Sequence, residues 1–185
     1  MPIAIQRVTL AALLLTLSTL TAQETRRTIT NNAANPADDT RPNNASVPDA
    51  YVISSHFDRI VIIRVKAKAM LLENMEKQVK EQHIQNAVIL SAIGSMRGYQ
   101  VHQVSNRDLP TQNTFEKNPT LPVDLVSMNG YVINGRIHAH ITLATPDRVI
   151  AGHLEDDNEV YTYAIVTLGV MNSTDLGKID DKAYR

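Results

Sequence analysis

The alternation of apolar and polar residues predicts that most of the ordered chain forms β-strands. Val- and Ile-rich runs, many of them alternating with polar residues, recur between residues 51 and 170 and are typical of strands with a buried face. The predicted strands are residues 51–54, 59–66, 87–90, 99–104, 123–133, 136–144, 149–154 and 160–170. Residues 107–122, which contain Pro110 and Pro119, are predicted to form a long loop.

One stretch has helical periodicity instead. Between residues 69 and 82, apolar side chains recur at Leu71, Leu72, Met75 and Val79 among charged residues, so one side of a helix is apolar. One helix among many strands predicts an α+β domain with a mainly antiparallel sheet.

The first 22 residues have the pattern of an export signal. Arg7 supplies a positive charge before the apolar residues 8–20, and the small residues Thr21 and Ala22 follow. The apolar run is short and contains Thr and Ser, which suits a cleaved signal peptide better than a membrane anchor. We therefore expect a periplasmic or secreted protein without stable membrane insertion. The alternatives are an uncleaved interfacial helix and a wrongly assigned start.

The rest of the chain divides into three parts. Residues 23–49 are rich in Asn, Thr, Ala, Pro and Asp and show no apolar periodicity, so burial cannot offset the entropy lost on ordering them. They are predicted to be a flexible linker. The folded domain is predicted at residues 50–172, followed by a polar tail at 173–185 that is expected to fray.

Composition limits the chemistry that the chain can perform. The formal net charge of −1 provides no general attraction to nucleic acid or to an acidic membrane. The sequence has no Cys, which excludes disulfides and thiolate metal ligands. Any metal ion must therefore be held by histidine and carboxylate groups.

A two-residue hairpin turn sets the register around the first two candidate ligands. Asn134-Gly135 lies between two alternating runs, and a type I′ turn needs positive φ at both central residues. This turn pairs Ile133 with Arg136 and places a polar set on one face: His138, His140, Thr142, Asn129 and Ser127. The opposite face is apolar: Ile137, Ala139, Ile141, Leu143, Val132, Met128 and Val126.

The next turn brings in a third histidine. Pro146 cannot adopt positive φ, so a four-residue loop over residues 145–148 is predicted there. The resulting register pairs His140 with His153, at a Cβ separation of about 5 Å, and places His138 on their diagonal. Three imidazoles at this separation can converge on one divalent ion. Two alternatives stay open: a one-residue bulge would move His153 to the other face, and His-X-His can be a plain surface pair.

These residues define a candidate site. His138, His140 and His153 are the predicted metal ligands, with zinc as the expected ion and with coordination positions left for water or a ligand. Asn129, Ser127 and Thr142 are expected to orient the imidazoles through hydrogen bonds. Asp124 falls on the apolar face in this register and is not a predicted metal ligand; with Gly94 it is assigned to a ligand cleft, while Glu155 is a possible carboxylate contributor. The remaining histidines, His56, His83 and His102, are interpreted as incidental.

The same stretches resemble a known family. Residues 90–96 (LSAIGSM), 123–130 (VDLVSMNG), 135–144 (GRIHAHITLA) and 149–154 (VIAGHL) are similar to the PPC domain, the "plants and prokaryotes conserved" family, over roughly residues 51–170. The resemblance implies a compact α+β domain with a central helix against an antiparallel sheet, assembled as a homotrimer. It also implies that a zinc-like metal, as in prokaryotic members, would bind the corresponding residues His138, His140 and His153.

Three functions are compatible with these features. The leading interpretation is an exported PPC-domain protein whose three-histidine metal site binds or senses a small ligand. One alternative is a metal-dependent hydrolase or lyase in which bound water acts as nucleophile or base. The other is the DNA-binding regulatory role that the family label suggests, although this chain has neither an Arg-Gly-Arg hook nor a basic stripe. No catalytic residue is assigned, so the existence of a reaction is left open.

Overall fold

Nine antiparallel strands and one helix account for the regular structure of the described residues. The computed structural model describes residues 25–31, 40 and 44–179, so the predicted signal peptide lies outside it. The elements are β1 (Arg26–Asn31), β2 (Arg59–Lys66), α1 (Leu71–Glu81), β3 (Ala87–Met96), β4 (Tyr99–Val104), β5 (Gln112–Asn118), β6 (Val123–Ile133), β7 (Arg136–Ala144), β8 (Val149–Leu154) and β9 (Val160–Val170). The strand order is β1-β5-β4-β8-β7-β6-β3-β9-β2. The α+β prediction with an antiparallel sheet is therefore confirmed at this level.

Helix α1 contributes its apolar side to the core. Leu71, Met75 and Val79 are buried at the helical spacing that the sequence pattern indicated. They belong to one cluster with inward-facing residues of the strands, such as Val65 and Leu168. The helix residues thus share the core with the inward-facing strand residues, whereas residues that alternate with the core positions point to the other side of the sheet. No helix of the described part is long and apolar enough to cross a membrane.

Strand β1 lies inside the predicted linker. It pairs with β5 from Arg26↔Lys117 to Asn31↔Gln112, so the prediction of a flexible linker is wrong for these residues. The sequence pattern missed the strand because residues 26–30 are all exposed and no side chain of that run shows a buried face. Backbone pairing and the hydrogen bond from Arg27 Nε to Glu116 Oε2, 2.9 Å long, hold β1 at the sheet edge.

Strand β5 replaces part of the predicted loop at residues 107–122. It pairs with both β1 and β4, and its two buried side chains are Asn113 and Asn118. The Asn118 Oδ1 atom accepts hydrogen bonds from the backbone N–H groups of Thr120 and Leu121, at 3.1 and 2.9 Å. Apolar periodicity could not find this strand because polar residues occupy its buried positions.

Two further segments differ from their predictions. Residues 51–54 form no strand: Val52 is 88 % exposed and the segment has no strand partner in the described sheet. The predicted polar tail packs on the domain over its described part, because Leu176 is buried and Asn86 Nδ2 donates a 2.7 Å hydrogen bond to the Thr174 carbonyl. The Tyr51 hydroxyl donates to the Lys178 carbonyl at 2.8 Å, which joins the two segments.

Candidate metal centre

The β6–β7 hairpin has the predicted turn and register. Asn134 and Gly135 have φ values of 51° and 76°, as a type I′ turn requires. The pairs that follow include Tyr131↔His138 and Asn129↔His140. The turn chemistry therefore places both histidines of β7 on the solvent-facing side of the sheet.

The β7–β8 connection is the predicted four-residue loop. The Thr145 backbone N–H donates to the Arg148 carbonyl at 2.9 Å and closes the loop. The register runs from Ala144↔Val149 to His140↔His153, so His153 faces the same side of the sheet as the histidines of β7. The alternative of a bulge that removes His153 from this face is excluded.

The three rings are close enough to share one ion. Ring centroids are 5.7 Å apart for His138 and His140, 5.0 Å for His138 and His153, and 5.3 Å for His140 and His153. One ring nitrogen from each residue lies within 4.8 Å of the other two. Nitrogens bound to one tetrahedral zinc ion lie roughly 3.4 Å apart, so the exposed His138 and His140 side chains have to turn inwards to bind it. This group, the three-histidine cluster, can therefore hold a metal ion.

The surroundings of His140 favour the form that binds metal. Partial burial of this otherwise exposed side chain lowers the pKa of its imidazole, and the neighbouring His138 and His102 rings lower it further because they can carry positive charge. A neutral imidazole has the free lone pair that a metal ion requires. Protons thus compete less well for His140 than for an isolated histidine.

The predicted orienting residues lie on the same face. Asn129 is opposite His140, and Ser127 is opposite Thr142 on the same two strands. Asn129 also lines a cleft of about 370 Å³ together with His138 and His140. Hydrogen bonding from metal-bound imidazoles to these three side chains stays a prediction.

The structure places His102 beside His153, a contact that its interpretation as incidental did not foresee. His102 on β4 is the direct cross-strand partner of His153, and the two rings stack with centroids 4.6 Å apart. Its Nδ1 atom is hydrogen-bonded to Glu155 Oε1. No short turn joins β4 to β8, so turn rules could not reveal this pairing. His56 and His83, by contrast, lie outside both groups of potential ligands found in the described residues.

A β-bulge changes the position of Asp124. The register between β6 and β7 shifts between Leu125 and Ser127, which leaves Val126 exposed and Asp124 opposite Ala144. The prediction that Val126 and Asp124 face the core is therefore wrong, because the extra residue reverses the alternation beyond it.

Asp124 lines a separate cleft and not the histidine cluster. That cleft measures about 390 Å³ and is also lined by Ser95, Thr145 and Tyr161. Gly94 lies beside Ser95 but is not part of the lining; a Cβ there would come within 2.4 Å of the Tyr163 carbonyl oxygen. Gly94 is thus explained by the close approach of β3 and β9.

The comparison with known families agrees with this architecture. Residues 53–172 match the Plants and Prokaryotes Conserved (PCC) domain, the family called PPC above. The chain belongs to this family. The match covers more than half of the 185 residues and includes every strand of the PCC domain from β2 to β9. No curated protein matches the sequence.

Solved structures share the PCC fold with this chain. A metal-containing protein from Archaeoglobus fulgidus superimposes with a TM-score of 0.55 at 21 % identity, over 66 % of this chain and 87 % of its own. A hypothetical protein from Salmonella enterica superimposes with a TM-score of 0.55 at 17 % identity, over 65 % of this chain and 83 % of its own. A plant- and prokaryote-conserved protein from Pyrococcus horikoshii superimposes with a TM-score of 0.54 at 20 % identity, over 65 % of this chain and 85 % of its own. At these identities the likeness establishes the fold alone.

Proposed function

We propose that this PCC-domain protein binds a divalent metal ion, zinc in the first instance, through His138, His140 and His153, and uses the metal to bind or sense a small ligand. The observation that carries the proposal is the pairing of His140 with His153 across two strands, with His138 beside them. A metal-containing relative of the same fold supports it.

The donor set favours a site that exchanges ligands. Structural zinc sites usually have four protein ligands, whereas three histidines leave a position for water or another molecule. The cleft of about 370 Å³ beside His138 and His140 offers room for such a molecule, and its other walls include Tyr131, Ile133 and Ile179. A ligand with an oxygen donor and an apolar body would match this lining.

Metal-assisted hydrolysis or lyase chemistry is the second candidate. A metal ion on three neutral imidazoles lowers the pKa of bound water towards 7 and can polarise a carbonyl group. The His102–Glu155 pair favours this candidate because it places a proton acceptor next to His153. Turnover of generic ester, phosphoester and lactone substrates that depends on both the metal and His140 would support it over binding alone.

We also propose that the protein assembles as a homotrimer, as the family resemblance implies. The solvent-facing side of β2, β9, β3 and β6 carries exposed apolar residues, among them Ile62, Ile93 and Val126, with 68, 55 and 53 % of their surface accessible. Another copy of the chain covering this face would remove that surface from water. Light scattering of wild type and Ile62→Lys should show a trimer that the substitution weakens, whereas a monomeric wild type would contradict the proposal.

Export by residues 1–22 is a further proposal, and it rests on their sequence pattern. Expression of the full chain in a Gram-negative host, followed by fractionation and N-terminal sequencing, should recover a shortened protein from the periplasm. Full-length protein in the cytoplasm would contradict export.

Metal analysis tests the central proposal. Protein purified without chelator, loaded with zinc and desalted should contain one zinc ion per chain, and His140→Ala should lose most of it. His56→Ala removes an exposed histidine outside the cluster and serves as the matched control. Equal zinc contents in wild type and His140→Ala would defeat the proposed site.

A further inference from the structure

We propose that His102, His153 and Glu155 form a second metal site, the mixed triad, which shares His153 with the three-histidine cluster. The proposal deepens the proposed function, because it gives a harder cation such as Mn²⁺ a position of its own beside the zinc site on the same sheet face. One ring nitrogen or carboxylate oxygen from each residue of the mixed triad lies within 4.8 Å of the other two.

The mixed triad is held more firmly than the three-histidine cluster. The His102 ring lies next to the Phe115 ring at 4.9 Å and next to the His153 ring at 4.6 Å, and it contacts Glu155 through Nδ1. The side chains of His102 and Glu155 are only 20 and 23 % exposed. Ordered donors lose little conformational entropy on binding, so the mixed triad is the more preorganised site.

A histidine bound to a carboxylate is a recurrent feature of metal centres, since carboxylates orient ligating imidazoles. Here the carboxylate oxygen and the ring nitrogen are both potential ligands. In the tautomer whose proton lies on Nδ1, a cation that binds Nδ1 displaces this proton to Nε2 of the same ring, so the ring stays neutral and no proton is lost. Glu155 then supplies the negative charge that the three-histidine cluster lacks.

Because the two sites share His153, a neutral His153 ring can serve only one of them at a time. A neutral imidazole has one lone pair, so His153 can bind a single ion unless it loses its second ring proton and bridges two. The two sites also differ in donor type: three nitrogens in the cluster, and two nitrogens with one oxygen in the mixed triad. Oxygen donors suit harder ions such as Mn²⁺, whereas imidazoles suit zinc and copper.

Removing the unshared histidines of the cluster isolates the mixed triad. The His138→Ala/His140→Ala double variant of the full chain should still bind one Mn²⁺ ion, measured by the electron paramagnetic resonance signal of the free ion. In that background, Glu155→Gln should weaken binding at least tenfold. His102→Phe should do the same, since Phe preserves a ring between Phe115 and His153 but has no nitrogen. Asp156→Asn, which alters an exposed neighbouring carboxylate, is the matched control and should bind as the double variant does.

The outcomes separate the two proposals. Loss of all metal binding in the double variant, with zinc binding intact in wild type, overturns the mixed triad and leaves the three-histidine cluster standing. Unchanged Mn²⁺ affinity after Glu155→Gln also overturns it. Failure of wild type to bind zinc, with Mn²⁺ retained by the double variant, instead contradicts the proposed function and supports the mixed triad. Circular dichroism and thermal unfolding of each variant establish that it is folded.

Discussion

His140 and His153 face each other across β7 and β8, with their ring centroids 5.3 Å apart and their ring planes nearly perpendicular. This pair is the geometric centre of the histidine face, because His138 lies on one side of it and His102 on the other. The spacing between strands therefore determines which nitrogens can meet. Substitutions that change the backbone packing should alter metal binding even when every ligand residue is kept.

Gly152 should be essential to the packing of β8 against β4. A Cβ at this position would lie 2.5 Å from the His102 carbonyl oxygen, so Gly152→Ala must push the strands apart. We expect the free energy of unfolding to fall by roughly 1–3 kcal/mol, as for other overpacked sites, measured by urea denaturation. Ala151→Ser, at an exposed neighbouring position, should have little effect. Equal stability of Gly152→Ala and wild type would show that the strands accommodate the methyl group.

Gly135 should contribute to the stability of the fold through its backbone conformation alone. Its φ is 76°, and the nearest atom to an added Cβ is the Ile84 carbonyl oxygen at 3.9 Å, so there is space for a side chain. Gly135→Ala should therefore cost about 1–2 kcal/mol from left-handed strain. Gly135→Asn should cost less, because Asn tolerates this region. Identical unfolding midpoints for the Ala and Asn variants would show that left-handed backbone strain does not cause the loss of stability.

Glu116 should make stability depend on pH in the acid range. Burial alone would raise its pKa, but hydrogen bonds from Tyr99 and Arg27 outweigh burial and, with the nearby positive charges, lower the pKa overall. A folded-state pKa below the unfolded value means that the carboxylate stabilises the fold above about pH 4.3, and that this contribution is lost as the pH falls further.

Glu116→Gln tests that dependence. At pH 7 the variant should be less stable by about 1–3 kcal/mol, the usual cost of losing hydrogen bonds to a charged group. The stability difference between wild type and variant should narrow as the pH falls below about 4.3, because Glu116 of the unfolded wild type then takes up a proton while the folded state still resists protonation. Urea denaturation at pH 7, 5 and 3.5 measures this difference, and a constant difference would contradict the assigned pKa direction.

Met75 should anchor the helix to the sheet. Its side chain is fully buried in the main core cluster, so Met75→Ala leaves a cavity and should destabilise the protein by about 2–5 kcal/mol. Glu76→Ala changes the exposed neighbour and should remain within about 0.5 kcal/mol of wild type. A loss below 1 kcal/mol for Met75→Ala would mean that the core collapses around the site.

The sequence is most informative where short turns join neighbouring strands. Asn134-Gly135 and the loop containing Pro146 have restricted backbone geometry, which fixes the register of β6, β7 and β8 from local chemistry. Both registers, and with them the three-histidine cluster, were predictable for this reason. The bulge at Val126 was not, because alternation gives no sign of where an extra residue is inserted.

Contacts between distant segments escaped the sequence-based prediction. His102 meets His153 because β4 and β8 become neighbours only when the whole sheet forms. Strand β1 shows no buried face, and β5 buries Asn113 and Asn118 in place of apolar residues. The hydrophobic pattern that identified the other strands was therefore absent from both, and their pairing partners depended on the complete fold.

The shared His153 also links the metal centre to the order in which the protein folds. His138 and His153 are 15 positions apart in one pair of adjoining strands, whereas His102 and His153 are 51 positions apart. Contacts between residues close in sequence form with a smaller entropic cost of loop closure and earlier during folding. We expect the three nitrogens of the cluster to meet while a single hairpin forms, and Glu155 and His102 to meet only after β4 docks. A metal ion present during refolding would therefore encounter the all-nitrogen site first.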